Sequence, residues 1–183
     1  LQFPRFNPEA QVTRPSQLAI FVGPDYVVTI HRGDLRPIVK LFKDCQNNDR
    51  VCNQAMSQTS GHLLYRILDS LVDYCFPILN KIISNMDTLE DRLFDEKTSD
   101  VVRDLSIQRR DIISYRRIIR PQIEVLETLE QRQFPFLKAK LDVYFSDLAD
   151  HIRRIWSELE EMKEVVEALN DSYNSLTSSQ TNQ

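Results

Sequence analysis

The side chains best suited to chemistry gather in one short segment, where Asp147, Asp150 and His151 follow one another at helical spacing. Carboxylates in such an array can hold a hard divalent cation through one or two oxygens, with water completing the shell. Read by themselves, Asp147 and Asp150 are more simply the solvated face of a helix, and the residues alone favour that reading over a metal site. Arg109, Arg110, Arg116, Arg117 and Arg120 form a second cluster that could meet phosphate. Asp87, Glu90, Asp91, Asp95 and Glu96 lie one helix earlier, so antiparallel packing is expected to neutralise those arginines within the chain. Aromatic residues are not interleaved with them as single-strand binding requires. His31 and His62 are too far apart in sequence to suggest a shared metal site, and structural roles suffice for both. No nucleophile–base pair and no phosphate loop stands out, so the chain is not expected to be an enzyme.

The elements that must position these groups are mostly helical. All three glycines (Gly23, Gly33, Gly61) fall in the first third of the chain. Phe145, Ile152, Leu159, Val166 and Tyr173 recur every seven residues, with Leu141, Leu148, Ile155, Met162, Leu169 and Leu176 as the second row. This is a heptad pattern, and its strict period predicts helices wound together left-handedly. Asp147 takes the c position, beside the apolar seam. No glycine or proline interrupts Phe136 to Gln183, which predicts one helix of roughly 70 Å at about 1.5 Å per residue. Such a rod needs partners along its length, and it reads as a stalk.

Upstream, Ser60 to about Lys97 carries Leu64, Leu68, Leu71, Cys75, Leu79, Ile82, Met86, Leu89 and Leu93 at steps of three and four. Pro77 should remove a hydrogen bond near Asp73 and kink this helix, and Pro121 is a second expected kink in the next one. Thr98, Ser99 and Asp100 supply N-cap residues for that second helix, and Gln131 to Pro135 makes the next break. The two helices read as an antiparallel hairpin. Gln17 to Gly23 and Tyr26 to His31, separated by Pro24-Asp25, read as a β-hairpin. Leu1 to Ser16 reads as irregular, Leu35 to Phe42 as a short helix, and Asp44 to Gln58 as a polar loop or frayed continuation.

Composition narrows the classes. With 183 residues and 42% hydrophobic content, the chain can bury a core. A net charge of −4 argues against a general nucleic-acid binder. Cys45, Cys52 and Cys75 match no zinc spacing and read as reduced thiols. No apolar run reaches the ~18 residues of a membrane span. Both ends look cut, so the chain is expected to be a fragment of a longer protein.

Three segments together resemble the CorA family of magnesium and cobalt transporters. FVGPDYVVTIHRGDL looks like the last hairpin of that family's cytosolic α/β domain, and LLYRILDSLVDYCFPILNKI is similar to its first long hairpin helix. YFSDLADHIRRI followed by LNDSYNSLTSSQTNQ resembles its stalk helix. The family's Gly-Met-Asn signature would lie beyond Gln183. The resemblance implies an α+β, mostly α fold in three parts. Residues 1–59 would close the α/β domain with a β-hairpin and short helix, 60–131 would form the antiparallel helical hairpin, and 132–183 would be the stalk leading to a transmembrane region.

The resemblance further implies the cytoplasmic side of a divalent cation transporter or channel in the cell inner membrane, assembled as a homopentamer. Its ion would be magnesium, with cobalt or nickel as further passengers. Magnesium bound between subunits would hold the pore closed, with Asp147 as a ligand and Asp69 as a second acidic position. Asn182, and more loosely Asp171, would face the pore entrance. The rivals are the related ZntB zinc transporters and, from another class, a soluble coiled-coil scaffold or signalling adaptor.

Overall fold

In a computed structural model that describes residues 1–7, 9, 12–95, 99–137 and 141–181, a small sheet rests on long helices. Its strands are β1 (Gln2–Asn7), β2 (Val12–Val22) and β3 (Val27–His31), antiparallel in the order β1-β2-β3. The helices are α1 (Arg36–Asn47), α2 (Asp49–Met56), α3 (Ser60–Asp95), α4 (Ser99–Gln131) and α5 (Asp142–Thr181), with a 3-10 turn at Pro135–Leu137 before α5. This is the expected α+β, mostly α class.

Two segments differ from expectation. Within the stretch expected to be irregular, residues 2–7 and 12–16 are strand. Residues 12–17 of β2 pair with β1, and residues 18–22 pair with β3. Pro4 lies opposite Pro15 in that register. Opposed residues in an antiparallel pair exchange both hydrogen bonds or neither, so two prolines can face each other at a non-bonded position at no cost to the ladder. Leu1 and Leu18, three positions along, do exchange both bonds at 3.0 Å. The second difference is α2, a separately capped helix in place of the expected polar loop or frayed continuation. Its cap is Asn48, whose side chain accepts from the backbone N–H of Arg50 at 3.0 Å and of Val51 at 3.4 Å.

The prolines do not end their helices. Pro77 and Asp73 are both exposed, as are Pro121 and Arg117, so each carbonyl robbed of its donor faces water. The proposed cap at Thr98 lies outside the described residues. The last helix starts at Asp142 rather than Phe136, because the chain first makes the turn at Pro135–Leu137. Its 40 residues span roughly 60 Å at about 1.5 Å each.

Helices α3 and α4 run antiparallel, as do α4 and α5. Arg92 of α3 bonds Asp104 of α4 at 2.8 Å, while Arg153 of α5 reaches back to Glu127 at 3.1 Å and Glu130 at 3.0 Å. It follows that α3 and α5 are parallel neighbours. The heptad seam turns into this bundle: Leu148, Ile152, Ile155 and Leu159 are each 0% exposed within a single chain. Helices α3 and α4 of the same chain cover those rows, so the partners that the heptad period calls for lie within this fold along that stretch. At the start of α3, Gly61 permits close approach of the turn before α5; a Cβ there would stand 2.4 Å from Leu141 Cδ1 and 3.2 Å from Leu137 Cβ.

Polar ties lock the sheet to α4. The carboxylate of Asp111, 2% exposed, accepts the Thr13 backbone N–H at 2.5 Å, and Ser114 Oγ donates to the Thr13 carbonyl at 2.6 Å. Gln122 Oε1 accepts from Gln2 N at 3.4 Å. The Tyr115 hydroxyl, also buried, donates to the Cys75 carbonyl at 2.8 Å and joins α4 to α3. Satisfied buried polar groups of this kind fix one arrangement of the layers.

Candidate metal-binding face

Because α3 and α5 run in the same direction, residues one turn apart on each helix form matching rungs. The first rung is aromatic. Tyr65 and Tyr144 stack with ring centroids 4.9 Å apart, and His62 meets Tyr144 edge-on at 5.8 Å. The next rung is acidic and holds Asp69 on α3 with Asp147 on α5. The Tyr65 hydroxyl donates to Asp69 Oδ1 at 3.4 Å, and His151 Nε2 lies 3.7 Å from Asp147 Oδ1. His151 in turn meets Phe76 edge-on at 5.9 Å. The two acids expected at a metal site therefore do come together, although 78 positions of sequence separate them.

Electrostatics marks this rung. Burial pushes the Asp69 carboxyl above its ordinary value, and the nearby negative charge of Asp73 adds to it. The Tyr65 hydrogen bond opposes that rise, Asp147 reinforces it, and His151 opposes it. The Tyr65 phenol is raised too, first by burial and then by the charges of Asp69 and Asp147. Burial leads both shifts, and the neighbouring carboxylates add to them. Asp147 is 56% exposed along its side chain and is open to solvent.

Nearby acids are already spoken for. Arg153 binds Glu127, Glu130 and Asp150 together, and Ser146 Oγ donates to Glu130 at 2.9 Å. Asp147, Asp142 and Asp150 border an open groove of about 510 Å³ with Val143 and Glu130. Among the described residues no group of three His, Cys, Asp or Glu side chains converges as a complete metal site.

The other expected positions lie elsewhere. Asp171 is exposed on α5, 24 residues beyond Asp147 and so roughly 36 Å along the helix at about 1.5 Å per residue. Its backbone carbonyl accepts the Ser175 hydroxyl at 3.0 Å. Asn182 lies outside the described residues. Of the arginine cluster, Arg116 pairs within the chain, and it takes its partner from α5, as Glu160, rather than from α3. The reason is that α4 shares its longest face with α5. Sequence reasoning groups His151 with Asp147 but does not single out Tyr65 as part of the acidic rung. Tyr65 precedes Asp69 by four residues, and that one-turn step is the available signal.

No described helix is long and apolar enough to cross a membrane. The cobalt/magnesium transport protein CorA of Thermotoga maritima is 32% identical over 124 residues, which are 68% of this chain and 35% of that protein. The structure of the CorA magnesium transporter from Methanocaldococcus jannaschii superposes with a TM-score of 0.83 at 22% identity, over 99% of this chain and 56% of that one. The ZntB cytoplasmic domain from Vibrio parahaemolyticus gives 0.74 at 16% identity, over 98% and 69%. At those identities the two structures speak for the fold alone. The chain spans about a third of the curated relative's length and about half of the solved transporter's. The model of the CorA-like Mg2+ transporter protein family matches residues 1–183, and the chain belongs to that family.

Proposed function

We propose that this chain is the cytoplasmic-side part of a divalent cation transporter in the cell inner membrane, working as a homopentamer. Magnesium is the cargo, with cobalt or nickel as further passengers. Magnesium also regulates: bound at the interface between neighbouring copies by Asp147, with Asp69 beside it, it favours the closed pore. Its loss restores repulsion among the carboxylates and loosens the α5 rods, which shifts the population toward the open state. Asp171 and Asn182 lie toward the pore entrance in this reading, and the segments 1–59, 60–131 and 132–183 serve as sheet layer, helical hairpin and stalk.

The observation that carries the proposal is the Asp69–Asp147 rung, where a part-buried carboxyl feels the charge of an exposed one, with one imidazole nearby. A cation supplies the missing charge, and two carboxylates plus water suit the octahedral demands of magnesium. Zinc transport is the nearest alternative within the family. Zinc prefers nitrogen and sulfur, and among the described residues the rung's contacts include one such donor, His151. The donor set therefore favours magnesium.

Limited proteolysis of the intact membrane-embedded protein tests the gating role. Millimolar magnesium should slow cleavage, and Asp147→Ala should weaken that protection. Equal protection in wild type and variant would remove Asp147 from the regulatory site.

A further inference from the structure

Each acid of the rung has a polar side chain one helical turn away, and the two neighbours differ in kind. On α5, His151 follows Asp147 by four residues and its Nε2 lies 3.7 Å from Oδ1. On α3, Tyr65 precedes Asp69 by four residues and its hydroxyl donates to Oδ1 at 3.4 Å. An imidazole that takes up a proton competes with a metal cation for the same carboxylate. A phenol stays neutral at physiological pH, so it directs a carboxylate without supplying the charge a cation would bring.

Tyr65 is itself held in place by other rings. Its centroid lies 4.9 Å from that of Tyr144 with the planes tilted by 53°, and Tyr144 also meets His62 edge-on at 5.8 Å. His62 Nδ1 is 3.0 Å from Thr59 Oγ1, which ties the far ring to the chain just before α3. Tyr144 stands three residues before Asp147, so the ring cluster bridges α3 and α5 one turn ahead of both acids. The apolar core of these helices is separate from it. Leu64, Leu68, Phe145 and Leu148 are each at most 5% exposed, whereas Tyr65 is half-buried and Tyr144 is 43% exposed. The Tyr65 hydroxyl can therefore be removed while the apolar contact between the helices persists.

We propose that Tyr65 is a positioning residue for magnesium at this rung: stacked on Tyr144, it fixes the turn of the Asp69 carboxylate through Oδ1 and leaves Oδ2 for the cation or its water shell. This role rests on the reading of Asp69 and Asp147 as the magnesium site, and it names the side chain that sets how one of the two acids is presented. Tyr65 does not ligate the ion; it acts through Asp69. A carboxylate already restrained before the ion arrives pays less ordering entropy on binding. Loss of the hydroxyl therefore weakens magnesium binding without abolishing the site.

A magnesium titration of protease resistance in the intact membrane-embedded protein, with thermal unfolding in magnesium-free buffer alongside, tests this role. Tyr65→Phe keeps the ring and removes the donor. It should raise the magnesium concentration for half-maximal protection by about two- to fivefold and leave Tm unchanged. Tyr144→Phe keeps the ring contacts and should titrate as wild type. In an Asp69→Ala background Tyr65→Phe should add nothing further, because the group it acts through is gone. If Tyr65→Phe titrates as wild type while Asp147→Ala still weakens protection, Tyr65 is packing alone and the positioning role falls while the magnesium site stands. If Asp147→Ala leaves protection unchanged, the magnesium site itself fails and the role of Tyr65 fails with it. A shift that persists without Asp69, or that comes only with a lower Tm, would also overturn the assignment.

Discussion

Replacing Asp111 by asparagine and by alanine separates two things its carboxylate does at once. It accepts the Thr13 N–H that joins β2 to α4, and it carries a charge into a buried position. Burial pushes its pKa above the ordinary 3.8, against the lowering effect of the Thr13 hydrogen bonds and of Lys81 and Arg110. A carboxyl raised on folding binds its proton more tightly in the native state. Its contribution is therefore most favourable below the unfolded pKa and declines as pH rises from about 3.8 through the folded value. The amide introduced by D111N would keep an acceptor and remove the buried charge, so this variant should stay within about 1 kcal/mol of wild type at neutral pH. D111A leaves the Thr13 N–H without its partner and should cost about 1–3 kcal/mol. For a chain of this size that lowers Tm by roughly 2–12 °C. Urea unfolding of the three proteins at pH 4 and pH 7 gives the comparison. Wild type should also lose ground against D111N between those two values. If D111N falls as far as D111A at pH 7, the charge itself is required and this reasoning fails.

The other predictions concern the acidic rung and the helical seam. Because Asp73 is the larger charge acting on Asp69, Asp73→Asn should lower the Asp69 pKa more than Asp147→Asn does in magnesium-free buffer, as followed by carboxyl NMR; the reverse order would misplace the rung. Ile155→Ala should cost about 2–5 kcal/mol through its cavity, by an amount that does not change with protein concentration. A concentration-dependent loss would mean that another copy, rather than α3 and α4, covers the seam.

Long apolar periods are the easiest part of this fold to read. The rows at Phe145 and Leu148 identify a helix and its buried face, but a period names the face and not the partner. The same seven-residue repeat serves a seam between copies or, as here, two neighbours within the chain. Strand β1 is hidden because Pro4 and Pro15 argue against a ladder until their register places them opposite each other. Helix α2 is hidden by polar composition, although Asn48 followed by Asp49 is a legible cap. Within the candidate site, Asp69 and Asp147 come from family resemblance, since nothing in local spacing joins positions so far apart. The parallel course of α3 and α5 joins them, and that course depends on α4 lying antiparallel to both.

Cation flux through the intact protein in sealed vesicles, with magnesium varied on the side that bears this chain, tests the central claim most directly. Millimolar magnesium there should throttle wild-type flux, while the double variant D69N/D147N should keep conducting at the same concentration. Equal throttling of both proteins would contradict the account, because the regulatory cation would then bind somewhere other than the Asp69–Asp147 rung.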